Sequence, residues 1–450
     1  MNFDTIAAIA TPSGQGAIGM IRVSGKEAIE RVSQIFSKDL REAKGYSLHY
    51  GHIKKDQQIL DEVVLSVFRG PKSFTREDTV EISFHGSAYI LRTAMQWLSE
   101  VDVRPALPGE FTQRAYLNGA MDLAQAEAVA DLIASASAGA HQLAMQQLRG
   151  GISNELSQLR EQLLNFTSLI ELELDFGEED VEFADRSQLG ELVHTIEKRL
   201  SDLISSFQFG NAVKEGVPTV IMGKPNAGKS TLMNALLNDN RAIVSDIAGT
   251  TRDVIEDRLV IDGIEFRLMD TAGLRKTADI IEAEGVSRTL DLAKRASLVL
   301  YLFDATKESL NEAADYLKSL DLPEGAHIIF IGNKVDLLDD NPSEADHVLY
   351  LSAKSGGRLD PLRQAMTDSV HQFGHSNSDQ AIISNARHLH ALTQAQTSLH
   401  EVRDGLANGL TGDLLAIDIR RVLHFIGEIT GEISTDEVLG NIFSKFCIGK

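Results

Sequence analysis

Along the chain the rhythm of apolar and polar positions changes three times. Over residues 1–117, short apolar runs (IAAIATP, AIGMIRV, DEVVLSVF and TVEISFHG) stand between Gly, Pro and Ser punctuation, the pattern of β-strands in a mixed fold. Residues 122–208 turn helical. There DLAQAEAVADLIASASAGAHQLAMQQL carries good helix formers and no proline, and QLGELVHTIEKRLSDLI repeats the helical period. The acidic stretch Asp175–Asp185 between them reads as a solvated loop. From Gly216 strand and helix alternate, which predicts a parallel sheet with crossovers. VPTVIMG, SLVLYLFD, HIIFIGN and HVLYLSA are its buried strands, and RLVIDGIEFRLMD predicts two strands joined by an Asp262–Gly263 turn. Beyond residue 373, NARHLHALTQAQTSLHEVRDGL and GDLLAIDIRRVLHFIGEI return to helix. Helical segments thus flank the α/β stretch on both sides, and the economical arrangement inserts an α/β domain into one helical domain.

Length and composition narrow the picture. A chain of 450 residues exceeds one ordinary core and predicts two to three domains. With 43% hydrophobic and 24% charged residues it reads as globular and soluble. No apolar run approaches the ~18 residues of a membrane span, and the opening MNFDTIAAIATPSG lacks the basic start of a signal peptide. A cytoplasmic protein is expected. The single cysteine, Cys447, excludes an intrachain disulfide and suits a reducing compartment. A net charge of −22 argues against a broad nucleic-acid face, which needs clustered Lys and Arg. It leaves room for a local RNA contact or one shared with a partner.

The chemistry concentrates in the α/β stretch. Gly223-Lys224-Pro225-Asn226-Ala227-Gly228-Lys229-Ser230 matches GxxxxGK[ST], follows an apolar strand and precedes the helix TLMNALL. Such glycines let backbone N–H groups close around phosphate oxygens at a helix N-terminus. Lys229 is placed to reach the outer phosphates, Ser230 to offer its hydroxyl to Mg²⁺, and Thr231 continues the contact. Asp270-Thr271-Ala272-Gly273 ends a predicted strand, where Asp270 can hold Mg²⁺ through water and Gly273 can meet the γ-phosphate. Asn333-Lys334-Val335-Asp336 ends another, where Asp336 can accept hydrogen bonds from N1–H and the exocyclic amine of guanine. Ser352-Ala353-Lys354 ends the last and supports the base. Their order at strand ends is that of an open-sheet nucleotide site, and they select GTP over ATP. Between them, Gly249-Thr250-Thr251-Arg252-Asp253 stands where a switch loop belongs, with Thr251 as the second Mg²⁺ hydroxyl, and the nucleotide contacts are expected to run from Ser245, Asp246, Ile247 and Ala248 into it.

The residue after DTAG is Leu274, where GTPases of the Ras type carry a water-orienting glutamine. Hydrolysis is then slow, or a polar residue of the following segment supplies the function; Glu282 and Glu284 are available. Arg252 and Arg275 are nearby and read as solvated loop arginines rather than an arginine finger.

The strings GKPNAGKSTLMNAL, GTTRD, DTAGLR and PGEFTQRAYLNG, with the terminus Phe446-Cys447-Ile448-Gly449-Lys450, resemble the MnmE/TrmE family of tRNA-modification GTPases along the whole chain. The resemblance implies an N-terminal α+β tetrahydrofolate-binding domain that dimerises (1–117), a discontinuous helical domain (118–214 and 373–450) and an inserted Ras-like P-loop GTPase domain (215–372). It implies GTP hydrolysis to GDP and phosphate, coupled to building a (carboxymethyl)aminomethyl group on carbon 5 of a wobble uridine. The one-carbon unit comes from a 5-formyl or 5,10-methylene tetrahydrofolate. The implied partners are a second copy through the N-terminal domain, the FAD-dependent MnmG/GidA in a heterotetramer or larger complex, and tRNA held mainly through that complex. The resemblance further implies K⁺ in place of an arginine finger, with Asn226 as a ligand and oxygens around Ser245, Ile247 and Thr250 completing its shell. It places the catalytic glutamate at Glu282, the folate contacts at Arg22, Glu81 and Lys450, and Cys447 near the one-carbon chemistry. Ala120 stands where the family often has a lysine. A different class, a ribosome-assembly GTPase resembling Era and Der, shares the phosphate-loop sequence, but it usually carries a KH module or a second G domain and a basic RNA face, whereas the C-terminal stretch here reads as helical and the Cys-Ile-Gly-Lys end argues for modification chemistry.

Overall fold

The computed structural model describes residues 4–175, 186–237, 257–269, 292–320, 326–338, 348–355, 359–372 and 381–449. They form two compact units, one of Met1–Ile133, Gln147–Arg160 and Leu423–Lys450, the other of Ala134–Gln146 and Glu161–Val422.

The first unit is built on a six-stranded sheet of β1 (Ile6–Ile9), β2 (Ile18–Ser24), β3 (Ser47–Lys55), β4 (Gln58–Phe68), β5 (Thr79–His85) and β6 (Arg104–Pro105), in the order β3-β4-β5-β2-β1-β6. All pairs are antiparallel except β1 with β6. Alternate residues of β4 and β5 (Val63, Leu65, Val67; Val80, Ile82, Phe84) bury one face against α1 (Ala28–Ser33) and α2 (Ala88–Glu100). β3 escapes the sequence pattern because SLHYGHIKK mixes His and Lys into the run and leaves Leu48 and Tyr50 exposed. The opposite face carries Arg22 on β2 across from Glu81 on β5. α3 (Glu110–Leu117) follows.

The helical stretch 122–148 is two helices, α4 (Leu123–Ala134) and α5 (Ala138–Leu148). Between them Ser137 turns to capping, its Oγ accepting from Ala140 N at 3.2 Å, as serine does when it competes with helix-interior bonding. α6 (Gly151–Asp175) and α7 (Arg186–Glu215) are long. α7 buries Leu189, Val193, Ile196, Leu200 and Leu203, a stripe on one helical face.

In the second unit the chain enters a second sheet through β7 (Val217–Met222), followed by α8 (Lys229–Leu237), β8 (Asp257–Ile261), β9 (Ile264–Leu268), β10 (Leu298–Asp304), α9 (Leu310–Lys318), β11 (His327–Asn333), β12 (Val348–Tyr350) and α10 (Leu359–His371). The order is β12-β11-β10-β7-β9-β8, parallel throughout except for the β8–β9 hairpin. Its turn is the expected pair, with Asp262 at φ 48° and Gly263 at φ 82°, both left-handed as a tight hairpin turn demands. Every residue of β10 is buried, consistent with a central parallel strand covered on both faces. β12 covers only three residues of HVLYLSA.

α11 (Ala386–Ala407), α12 (Gly412–Thr430) and α13 (Asp436–Phe443) complete the chain. α11 packs on α7 across the intervening sheet sequence: Gln396 Nε2 donates to Ser201 Oγ at 2.7 Å, and Arg403 pairs with Glu197 at 3.0 Å.

Candidate functional site

Four loops leave the C-terminal ends of β7, β10, β11 and β12 along one edge of the second sheet, the edge where open α/β sheets bind ligands. The loop after β7 turns at Gly223 (φ 147°), where a Cβ would stand 2.0 Å from the Leu302 carbonyl oxygen, so only glycine fits. Asn226 (φ 63°) and Gly228 (φ 103°) are also left-handed, and α8 begins directly afterwards at Lys229. Successive turns of this kind aim backbone N–H groups inward at a helix N-terminus and suit an anion. Ala227 is buried, whereas Asn226, Ser230 and Thr231 are exposed. Lys229 donates to the carbonyls of Gly223 (2.7 Å) and Lys224 (3.0 Å), and its burial depresses the ammonium pKa, so an anion here would be received by a poorly hydrated cation.

Asn333, at the end of β11 and only 3% exposed, ties two of these loops together. Its Nδ2 donates to Ala227 O at 2.8 Å, and its Oδ1 accepts from Ala353 N at 2.9 Å. A Cβ on Gly228 would fall 2.3 Å from that Nδ2, so the close approach requires glycine. Lys334 is left-handed (φ 69°) and pairs with Asp304 Oδ2 at 2.6 Å. Asp336 follows in a short 3-10 turn and is exposed. Ser352 and Ala353 are buried and Lys354 is exposed.

Among the described residues, then, the structure gathers Gly223, Asn226, Ala227, Gly228, Lys229, Ser230, Thr231, Asn333, Lys334, Asp336, Ser352, Ala353 and Lys354 along one sheet edge. Ser245, Asp246, Ile247, Ala248, Gly249, Thr250, Thr251, Asp270, Thr271, Ala272, Gly273, Glu282 and Lys450 lie outside the described residues, as do Glu284, Arg252, Arg275, Leu274 and most of the acidic stretch.

Sequence reasoning missed Asp304 and Glu308. Burial pushes the Asp304 carboxyl up, but hydrogen bonds from Lys334 and Thr306 outweigh it and hold the group below its ordinary range. Glu308 pairs with Lys224 at 2.6 Å, and the Lys224 ammonium also stands 5.1 Å over the Tyr316 ring. A charged residue closing the apolar run SLVLYLFD was the available signal.

A second constellation lies in the first unit. Arg22 Nε and Nη2 both reach Glu81 Oε1 at 2.8 Å, and the guanidinium stands 5.7 Å from the Phe74 ring centre and 5.8 Å from that of Phe111. Arg22 Nη1 donates to Gly449 O at 3.4 Å. Gly449 (φ 98°) lies so close that a Cβ would stand 2.7 Å from Ile9 O. The carbonyl of Cys447 accepts from Gly109 N at 3.5 Å, and the residue is exposed. Below lies Arg114, a fully buried guanidinium held by Asp4 O (2.7 Å), Asp4 Oδ1 (3.0 Å), Glu110 (2.8 Å) and Glu77 (3.3 Å). It braces the loop that carries Gly109. The Arg22–Glu81 pair offers one cationic and one anionic group, and the Phe74 and Phe111 rings hold the guanidinium in place, Phe111 from within the core.

The chain matches the family description "MnmE helical domain" over residues 123–447 and "GTP-binding protein TrmE N-terminus" over residues 5–120. It is 52% identical to the tRNA modification GTPase MnmE of Cytophaga hutchinsonii over 452 residues, covering 99% of this chain and 98% of that protein. Against the protein of the same name from Bacteroides thetaiotaomicron the identity is 50% over 467 residues, covering both chains completely. The solved structure of Era in complex with MgGDPNP and nucleotides 1506–1542 of 16S ribosomal RNA overlaps 40% of this chain and 65% of its own, at 22% identity and a TM-score of 0.25, too low to carry an inference.

Proposed function

Since the chain belongs to the MnmE family of tRNA modification GTPases, we propose that it hydrolyses GTP at the edge of the second sheet under K⁺ activation and uses the cycle to drive modification of a tRNA wobble uridine. The GTPase and the role in tRNA modification follow from membership. The observation that supports placing the nucleotide at this sheet edge is Asn333, which joins the Gly223–Ser230 loop to the Ser352–Lys354 loop and so makes one site of two distant segments.

In this reading the phosphates of GTP lie in the turn formed by Gly223, Asn226 and Gly228, and Lys229 exchanges its two carbonyl partners for outer phosphate oxygens. Asp336 reads the guanine edge, with Lys334, Ser352, Ala353 and Lys354 around the base. The oxygen of a water attacks the γ-phosphorus, the bond to the β–γ bridging oxygen breaks, and GDP and phosphate leave. Glu282 accepts the proton of that water directly or through a second water. The exposed Ser230 hydroxyl fits a Mg²⁺ that Thr251 and, through water, Asp270 would also hold; the ion would neutralise phosphate charge. Asn226, held left-handed and exposed, fits a K⁺ ligand, with Ser245, Ile247 and Thr250 completing the shell for the same purpose.

The one-carbon donor, a tetrahydrofolate, is assigned to Arg22 and Glu81 with Lys450. The Arg22–Glu81 pair supports this, since a guanidinium can meet an acid or carbonyl and a carboxylate can meet N–H donors, and the exposed Cys447 stands nearby in the chain. Two copies would join through the N-terminal domain and work with the FAD-dependent MnmG/GidA partner on tRNA in the cytoplasm. Among the described residues no helix is long and apolar enough to cross a membrane.

Purified protein should hydrolyse GTP many times faster in K⁺ than in Na⁺ at equal ionic strength. Equal rates would remove K⁺ and Asn226 from the mechanism while leaving a GTPase that needs another activator.

A further inference from the structure

The segment joining β10 to α9, Asp304-Ala305-Thr306-Lys307-Glu308, contributes no residue to the nucleotide motifs. Yet each of its two acids holds a lysine that belongs to one of them. Asp304, 9% exposed, binds Lys334 of the base loop at 2.6 Å. The Glu308 side chain, 8% exposed, binds Lys224 of the phosphate loop at 2.6 Å.

The Asp304 carboxylate is itself held, and the backbone that carries Glu308 is fixed. Asp304 Oδ1 accepts from Thr306 N (3.1 Å) and Thr306 Oγ1 (2.6 Å). The Asp304 carbonyl accepts from the backbone N–H of Lys307 (2.9 Å) and Glu308 (3.0 Å), which closes the segment into a turn. Ala305 N donates to Asn333 O at 3.0 Å, anchoring the turn on β11. Directly after it, Ser309 and Glu312 form a capping box that sets the start of α9. Two nearly buried carboxylates therefore project from a rigid turn toward two different loops. A flexible lysine loses its rotamer freedom when its ammonium is held this way, and a left-handed non-glycine residue such as Lys334 needs such an external hold to persist.

We propose that Asp304 and Glu308 form a two-carboxylate clamp that positions the base loop and the phosphate loop relative to each other before nucleotide arrives. Asp304 lays the methylene stem of Lys334 along the base side of the site. Glu308 fixes the phosphate loop at Lys224, one residue beyond Gly223. Both act through the lysines and are positioning residues. The inference rests on the nucleotide reading of this site and deepens it.

The test uses the full-length protein with fluorescent GDP as probe and ADP as competitor. Asp304→Asn should weaken GDP roughly tenfold, the worth of one charge-assisted hydrogen bond, and Asp304→Glu should restore part of the loss. In a Lys334→Ala background the Asp304→Asn effect should disappear, because the carboxylate has nothing left to hold. Glu308→Gln paired with Lys224→Ala should show the same coupling. Thermal melting checks that each variant is folded, and the Glu308 pair decides the matter if Asp304→Asn is not. If Asp304→Asn costs the same factor with and without Lys334, or costs nothing, the clamp is refuted while GDP binding by the unaltered protein stands. If the unaltered protein ignores GDP or fails to prefer it to ADP, the nucleotide reading falls and the clamp with it.

Discussion

His85 closes β5 with its ring Nδ1 2.7 Å from Asp61 Oδ1, while its backbone N–H donates to Asp61 Oδ2 at 2.8 Å. The hydrogen bond and charge of Asp61 raise the imidazole above its ordinary 6.5. The folded state therefore prefers the protonated ring. That contribution to stability is full below about pH 6.5 and is lost as pH rises through the folded value. The ring is largely solvated, so the effect is small. His85→Gln should flatten the fall in melting temperature expected of the parent as pH rises above about 6.5, and parallel curves for the two proteins would remove the Asp61 pair from the account. At this scale the nucleotide motifs were legible because glycine and asparagine spacing is dictated by backbone sterics. Gly223 and Gly228 are each forced by an atom less than 3 Å from where a Cβ would stand. Asn333 was legible as a motif member, but not as the residue that bonds Ala227 and Ala353, because those partners lie 106 and 20 residues away. Glu308, Phe74 and Phe111 were illegible for the same reason, and Asp304 offered only its place at the end of an apolar run, with no sign of the lysine it holds.

Among the elements, the hairpin β8–β9 and helix α5 show how a backbone contact can replace side chains. Gly139 N donates to Gly263 O at 2.9 Å, and a Cβ on Gly139 would stand 2.7 Å from that same oxygen. The hairpin turn was legible from Asp262–Gly263 alone, since only such pairs accept two left-handed residues. That Gly139 must meet it was not, because a glycine near a helix start reads simply as a weak helix former. Gly139→Ala should push the two elements apart. Hydrogen exchange should then quicken in peptides covering 138–148 and 257–268, with little change where α7 packs on α11. Uniform exchange behaviour across both regions would show that the contact is incidental. β3 illustrates the limit of pattern reading from the other side. Its edge position leaves alternate residues exposed, and the apolar ones among them erase the alternation that would have revealed the strand.

Across the whole molecule, the first unit is closed by the two ends of the sequence. Tyr116 OH donates to Gly431 O at 2.6 Å, Gly109 N donates to Cys447 O, and Arg22 donates to Gly449 O. The motif PGEFTQRAYLNG and the Phe-Cys-Ile-Gly-Lys terminus, which no local pattern connects, thus meet beside the Arg22–Glu81 pair. Resemblance to a family linked them before any geometry did; physics alone offered only a strand-end arginine and a lone thiol. The meeting makes a sharp demand on Gly449, whose left-handed φ of 98° and 2.7 Å approach to Ile9 O exclude any side chain. Gly449→Ala must therefore move Gly449 off β1, depriving Arg22 of a carbonyl partner. On the proposed folate reading, binding of 5-formyltetrahydrofolate, read by calorimetry, should weaken by on the order of tenfold, since the proposed Arg22 contact loses its support. Affinity for GDP should hold, because the nucleotide loops belong to the other compact unit. If the folate affinity held as well, the terminus would be a structural latch and the assignment of folate to Arg22 and Glu81 would fall.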